Sequence, residues 1–89
     1  MKHIFIVNPV SGNGKAAKIV KNIERVCDYE DLEYEIRYTT KPKEATKIAR
    51  EYENSIVYAV GGDGTLNEVL NGLVGTNNMI SCIPARKRK

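Results

Sequence analysis

The stretch that most constrains this chain runs from Ser55 to Leu73. A continuous apolar run, Ile56-Val57-Tyr58-Ala59-Val60, is stopped by Gly61-Gly62-Asp63-Gly64-Thr65 and followed by Leu66, Val69, Leu70 and Leu73. Five unbroken apolar positions suit a parallel strand covered on both faces, and spacing at i, i+3, i+4, i+7 marks one stripe of a helix. A glycine turn therefore feeds a helix N-terminus, whose unpaired N–H groups and dipole favour an anion, phosphate above all. The glycines are expected to allow positive φ and the close approach of a ligand. Thr65 and Glu68 have the spacing of a capping box, which would set the helix start and by itself accounts for Glu68.

Asp63 stands out, because a carboxylate beside a bound phosphate is repelled unless a cation or a transferable proton lies between them. Mg²⁺ shared by carboxylate and phosphate oxygens, or a general base aimed at a hydroxyl, would explain an acid here. The plainer alternative is that Asp is a good turn residue between glycines.

A second unit of the same kind opens the chain. Ile4-Phe5-Ile6-Val7 reads as strand one, within Lys2 to Val7, and is stopped at Asn8-Pro9. The polar loop Val10-Ser11-Gly12-Asn13-Gly14-Lys15 follows. Ala16, Ile19, Val20, Ile23, Val26 and Cys27 then trace an apolar helical stripe. In a parallel sheet both glycine loops would lie at the carboxyl edge of the strands, where ligands bind in open α/β folds.

Gly12-Asn13-Gly14-Lys15-Ala16-Ala17 satisfies the dinucleotide pattern G-x-G-x-x-A, but strand two ends in Thr39-Thr40-Lys41 and supplies no ribose-binding acid. The pattern G-x-x-x-x-G-K-[ST] fails, because Ala16 follows Lys15 and no glycine stands five residues before Gly14. Lys15 can meet phosphate or simply face water.

From Glu33 to Tyr38, Glu33, Glu35 and Arg37 alternate with Tyr34, Ile36 and Tyr38, so strand two has one polar face and belongs near an edge. Strands one, three and four (Met79 to Ile83) are more apolar, which favours the spatial order 2-1-3-4. Pro42 is expected to start a second helix with the stripe Ala45, Ile48, Ala49, Tyr52 and Asn54 near its end. Thr40, just before it, is a ligand contact or an ordinary turn threonine. Asn71-Gly72 reads as a helix exit.

Eighty-nine residues suffice for one small domain with a modest core. The net charge of +3 is a tail effect: without Arg86, Lys87, Arg88 and Lys89 the body has 10 basic and 11 acidic residues. Residues 85–89 are expected to form a solvated basic tail, with no nucleic-acid role. No apolar run reaches about eighteen residues and no signal-peptide pattern follows Met1, so a cytoplasmic protein is expected. Cys27 and Cys82 are expected as free thiols, lacking metal-site spacing.

Together, Asn8-Pro9-x-Ser11-Gly12-x-Gly14-Lys15, Thr40, and Gly61-Gly62-Asp63-Gly64-Thr65-Leu66-Asn67-Glu68-Val69 with Asn71-Gly72 resemble the diacylglycerol kinase catalytic-domain family of lipid kinases, over nearly the whole chain. The glycine-rich element alone is shared with NAD kinases and phosphofructokinases; the first loop separates them. The resemblance implies a three-layer α/β/α fold with a parallel, Rossmann-like sheet of about four strands.

It also implies ATP and Mg²⁺. Asn8, Pro9, Ser11, Gly12, Gly14, Lys15, Gly61, Gly62, Gly64, Thr65 and Glu68 would surround the ATP phosphates, and Thr40 would contact the nucleotide. Asp63 would serve the metal through water or activate the lipid hydroxyl. Family members continue strand four into a P-x-G-T-x-N-D segment, whereas Ile83-Pro84 is followed here by Ala85-Arg86-Lys87. Residues 1–84 are thus expected to be an incomplete nucleotide-binding domain lacking the β-rich lipid domain. Peripheral contact with the inner membrane surface, and self-association through an open sheet edge, are further expectations.

Overall fold

The apolar runs form strands and the periodic segments form helices in the computed structural model, which describes residues 1–85. Arg86–Lys89, and with them most of the expected basic tail, lie outside the described residues. In chain order the elements are β1 (Lys2–Val7), α1 (Lys15–Tyr29), β2 (Tyr34–Tyr38), α2 (Glu44–Ala49), β3 (Ser55–Gly61), α3 (Asp63–Leu73) and β4 (Met79–Pro84). A tight turn, Ser11–Gly14, precedes α1.

All pairings are parallel and the sheet order is β2-β1-β3-β4, as the alternation in β2 and the apolar character of β1 and β3 anticipate. Side chains alternate across the strands, so each half of the core has its own set. Phe5, Val7 and Val60 meet Ala16, Val20, Ile23 and Cys27 of α1, with Ala85. Ile4, Ile6, Val57 and Ala59 meet Ala45, Ile48 and Ala49 of α2 and Val69 and Leu73 of α3. The result is a three-layer α/β/α domain. Val26, expected on the buried stripe, is 57% exposed. The α1 stripe is therefore narrower than its pattern.

The polar face of β2 turns toward the α2 side. Arg37 donates to Glu51 (2.8 Å) and to the Tyr52 hydroxyl (2.8 Å), and Lys2 pairs with Glu35 at 3.0 Å. His3 Nδ1 and the Tyr58 hydroxyl are hydrogen-bonded at 2.8 Å, and Tyr58 stacks on Phe5.

Three expectations are corrected. Helix α2 begins at Glu44, not Pro42, because Lys43 takes a left-handed conformation (φ 69°) that breaks the helical path, and it ends at Ala49. Gly72 is no helix exit but a buried residue inside α3. A Cβ there would lie 2.5 Å from the Thr46 carbonyl oxygen and 2.7 Å from Ala49 Cβ, so its bare backbone is what lets α2 and α3 touch. Ala85, placed in the tail by composition, is buried and donates its N–H to the Gly61 carbonyl (3.0 Å). Strand β4 is exposed at every residue except the half-buried Ile83, in keeping with the expected open apolar edge. It pairs only with β3.

Candidate phosphate-binding cleft

The carboxyl ends of β1 and β3 are neighbours, with Val7 opposite Val60. Both glycine loops consequently leave the same rim of the sheet. Beyond β1, the Asn8 N–H donates to the Val60 carbonyl (3.0 Å), and Asn8 Oδ1 accepts from the Val10 N–H (3.2 Å). The Ser11 N–H donates back to the Asn8 carbonyl at 3.1 Å. Gly12, Asn13 and Gly14 then all have positive φ (64°, 54° and 89°), a path glycine and asparagine tolerate best. At Gly12 a Cβ would also sit 2.5 Å from the Ala85 carbonyl oxygen. The first loop is thus bent by its own conformation and seated against the exit of β4.

The second loop uses its glycines differently from what the sequence suggests. Gly61, Gly62 and Gly64 are absent from the positive-φ residues, which corrects that expectation. Gly61 is required by packing: its Cβ would lie 2.6 Å from Thr65 Oγ1 and 3.0 Å from Ser11 Oγ. Gly62 is extended (φ −94°, ψ −166°), and a Cβ there, or at Gly64, meets nothing within 4 Å. Neither the backbone nor the packing of this chain demands glycine at 62 or 64.

Nor does the capping box form. Helix α3 starts at Asp63 with Gly62 as N-cap and no side-chain cap, which leaves Thr65 buried in the first turn and Glu68 beyond it. Thr65 cannot cap because it already lies inside the helix. The first helical bond runs from the Leu66 N–H to the Gly62 carbonyl at 3.2 Å. An 11-residue helix therefore presents an N-terminus uncapped by any side chain, with open space where a Cβ would stand at Gly62 and at Gly64.

A cleft of about 490 Å³ lies in front of this rim. Of the residues anticipated from sequence, Asn8, Pro9, Thr40, Gly64, Thr65 and Glu68 line it. Ser11, Gly12, Gly14, Lys15, Gly61, Gly62 and Asp63 do not. Ser11 and Gly61 pack on each other at the back of the loops, and Gly62 and Asp63 are exposed beside Gly64.

The remaining walls, Val10, Thr39, Lys41, Pro42 and Ala45, were not singled out by sequence. Nor was Glu44, whose Oε1 accepts from both the Thr40 N–H (2.6 Å) and the Thr40 hydroxyl (3.0 Å). These two donors, amide first, hold the Glu44 carboxyl below the ordinary carboxylate range. The visible signal was the Thr40-x-x-x-Glu44 spacing at a helix start.

Among the described residues no three His, Cys, Asp or Glu side chains converge into a metal centre. Asp63 fits a metal only as a single carboxylate in a site completed by phosphate oxygens and water, a common way of holding Mg²⁺.

The model of the diacylglycerol kinase catalytic domain matches residues 2–85. The chain belongs to the diacylglycerol kinase catalytic-domain family. Within it, this chain is 35% identical over 82 residues to sphingoid long-chain bases kinase 1 of Arabidopsis thaliana, an alignment spanning 86% of this chain and 11% of that protein. It is 36% identical over 77 residues to diacylglycerol kinase of Bacillus subtilis (strain 168), spanning 83% and 25%. A crystal structure of a diacylglycerol kinase from Bacillus anthracis str. Sterne superposes with a TM-score of 0.72 at 30% identity, covering 96% of this chain and 33% of that one. The chain thus spans between a tenth and a third of the length of these diacylglycerol kinase-family relatives. No helix among the described residues is long and apolar enough to cross a membrane.

Proposed function

We propose that the cleft holds the phosphates of ATP and that the chain is the nucleotide-binding portion of an ATP-dependent lipid kinase, one that moves the γ-phosphoryl group to a lipid hydroxyl. The observation that carries this reading is the uncapped N-terminus of α3, with open space over Gly62 and Gly64. A Ser or Asp at an N-cap stabilises a helix by a few tenths of a kcal/mol more than Gly. Glycine there leaves the amides free for an anion instead. The family supports a kinase; the geometry supports where its phosphates would lie.

Phosphoryl transfer is chiefly a matter of placement and charge neutralisation. The amides of Gly64 and Thr65 and the dipole of α3 would face the phosphates together with Asn8 and Pro9, while Ser11, Gly12, Gly14 and Lys15, which do not line the cleft, would form the bend that holds Asn8 in place. Asp63, exposed in the first turn, would hold Mg²⁺ or accept the proton of the lipid hydroxyl. Mg²⁺, when bound, supplies neutralising charge to the phosphate oxygens. Little or no lipid phosphorylation is expected of the 89-residue chain assayed alone.

Calorimetry with ATP and Mg²⁺ tests the cleft directly. Binding by the parent and its loss in Gly62→Asp, whose carboxylate at the N-cap of α3 would repel an anion and compete for the helix amides, supports the reading. Equal binding by both overturns it. Binding without phosphotransfer in every longer form that contains this domain would favour a non-catalytic nucleotide-binding module, and preference for NADH over ATP would favour a dinucleotide site.

A further inference from the structure

We propose that Glu44 is a positioning residue that turns Thr40 into a hydrogen-bond acceptor and thereby selects a purine with an amine rather than an oxo group at position 6, adenine over hypoxanthine or guanine, at the β2 end of the cleft. The inference rests on reading the cleft as a nucleotide site. A hydroxyl has one proton to donate, and a carboxylate can only accept. With the Thr40 proton directed at Glu44 Oε1 (3.0 Å), only lone pairs remain to face the cleft. The Thr40 amide, the residue's other donor, is directed at the same oxygen at 2.6 Å. Both of Thr40's donors are therefore committed within the chain, while Thr40 itself lines the cleft and Glu44 does not.

The two ends of the cleft then differ in kind. The α3 end is lined by Gly64 and Thr65 of that helix's first turn, and the β2 end by the Thr40 acceptor together with the apolar Val10, Pro42 and Ala45. A flat ring would lie against these apolar side chains, and an amine at its position 6 would donate to Thr40 Oγ1. An oxo group at the same position brings oxygen against oxygen and makes no hydrogen bond there. Removing Glu44 would free the Thr40 hydroxyl to donate or accept and so remove that preference.

The test titrates the 89-residue chain with ATP, ITP and inorganic tripolyphosphate, alongside Glu44→Ala and Glu44→Gln. The parent is expected to favour ATP over ITP by about tenfold, the scale of one hydrogen bond made or lost. In Glu44→Ala the ratio is expected to fall to about one, through weaker ATP and tighter ITP binding, with tripolyphosphate unchanged. Glu44→Gln, whose amide oxygen still accepts both bonds, is expected to keep the preference. A structural role for Glu44 in the β2–α2 turn would weaken ATP and ITP together and leave their ratio intact. That result, or a parent ratio near one, overturns the inference while tripolyphosphate binding leaves the phosphate reading standing. Failure of all three ligands to bind the parent overturns both.

Discussion

The three glycines around Asp63 are separable by what a methyl group would meet. At Gly61 it would press on Thr65 Oγ1 and Ser11 Oγ, so Gly61→Ala is expected to destabilise the domain by about 1–3 kcal/mol, the usual cost of overpacking. At Gly62 it would meet only solvent, and Asp is a better N-cap than Gly. Gly62→Asp is therefore expected to leave the urea midpoint unchanged or slightly raised while abolishing ATP binding. A Gly62→Asp midpoint lowered as far as that of Gly61→Ala would show that position 62 is structural. Neither role could be told from the other in the sequence, where the glycines look alike and positive φ seemed the common reason.

Between elements, the critical contact is α2 against α3. Gly72 admits the Thr46 carbonyl, and the Thr46 hydroxyl donates to the Glu68 carbonyl at 2.7 Å. Gly72→Ala would gain roughly 1 kcal/mol of helix propensity but force backbone apart at an overpacking cost of about 1–3 kcal/mol. Net destabilisation is expected, read as a lower urea midpoint. Helix α2 is also tied to β2 through Arg37, which lies between Glu51 and Tyr52. Arg37 holds the Glu51 carboxyl below its ordinary value, chiefly by hydrogen bonding, and Lys2 does the same for Glu35. A lowered folded value means that the unfolded chain takes up protons more readily. The stability contributed is therefore present above the unfolded value of about 4.3 and lost as pH falls through the folded ones. Urea midpoints are expected to be flat above about pH 5 and to fall below about pH 4. Glu51→Gln and high salt should each flatten that slope, because the pair is exposed and screened.

At the scale of the whole molecule, β4 leaves the sheet with an open edge that no described residue covers, and the strand itself carries no charged side chain. Such an edge is a template for pairing with a second copy. Its centre carries Cys82, exposed, while Cys27 is buried under α1 with its thiol pushed up by desolvation. A thiol reagent is expected to modify Cys82 rapidly in the folded protein and Cys27 only on unfolding. We expect the light-scattering mass to rise with concentration and Cys82 labelling to slow in step. A mass that stays monomeric at high concentration would count against pairing through this edge.

The sequence by itself determined the strands, the order β2-β1-β3-β4 and the two glycine bends at one rim. Unbroken apolar runs, the alternation of Glu35 and Arg37 in β2 and helical periodicity are local patterns that the burial of side chains must obey. Only tertiary structure decided where α3 begins, why Gly72 lies inside it, that Ala85 belongs to the core, and that Glu44 holds Thr40. Each of these depends on which atoms from distant or oppositely facing segments come within van der Waals or hydrogen-bonding distance, and that is set by packing three layers together rather than by any spacing along the chain.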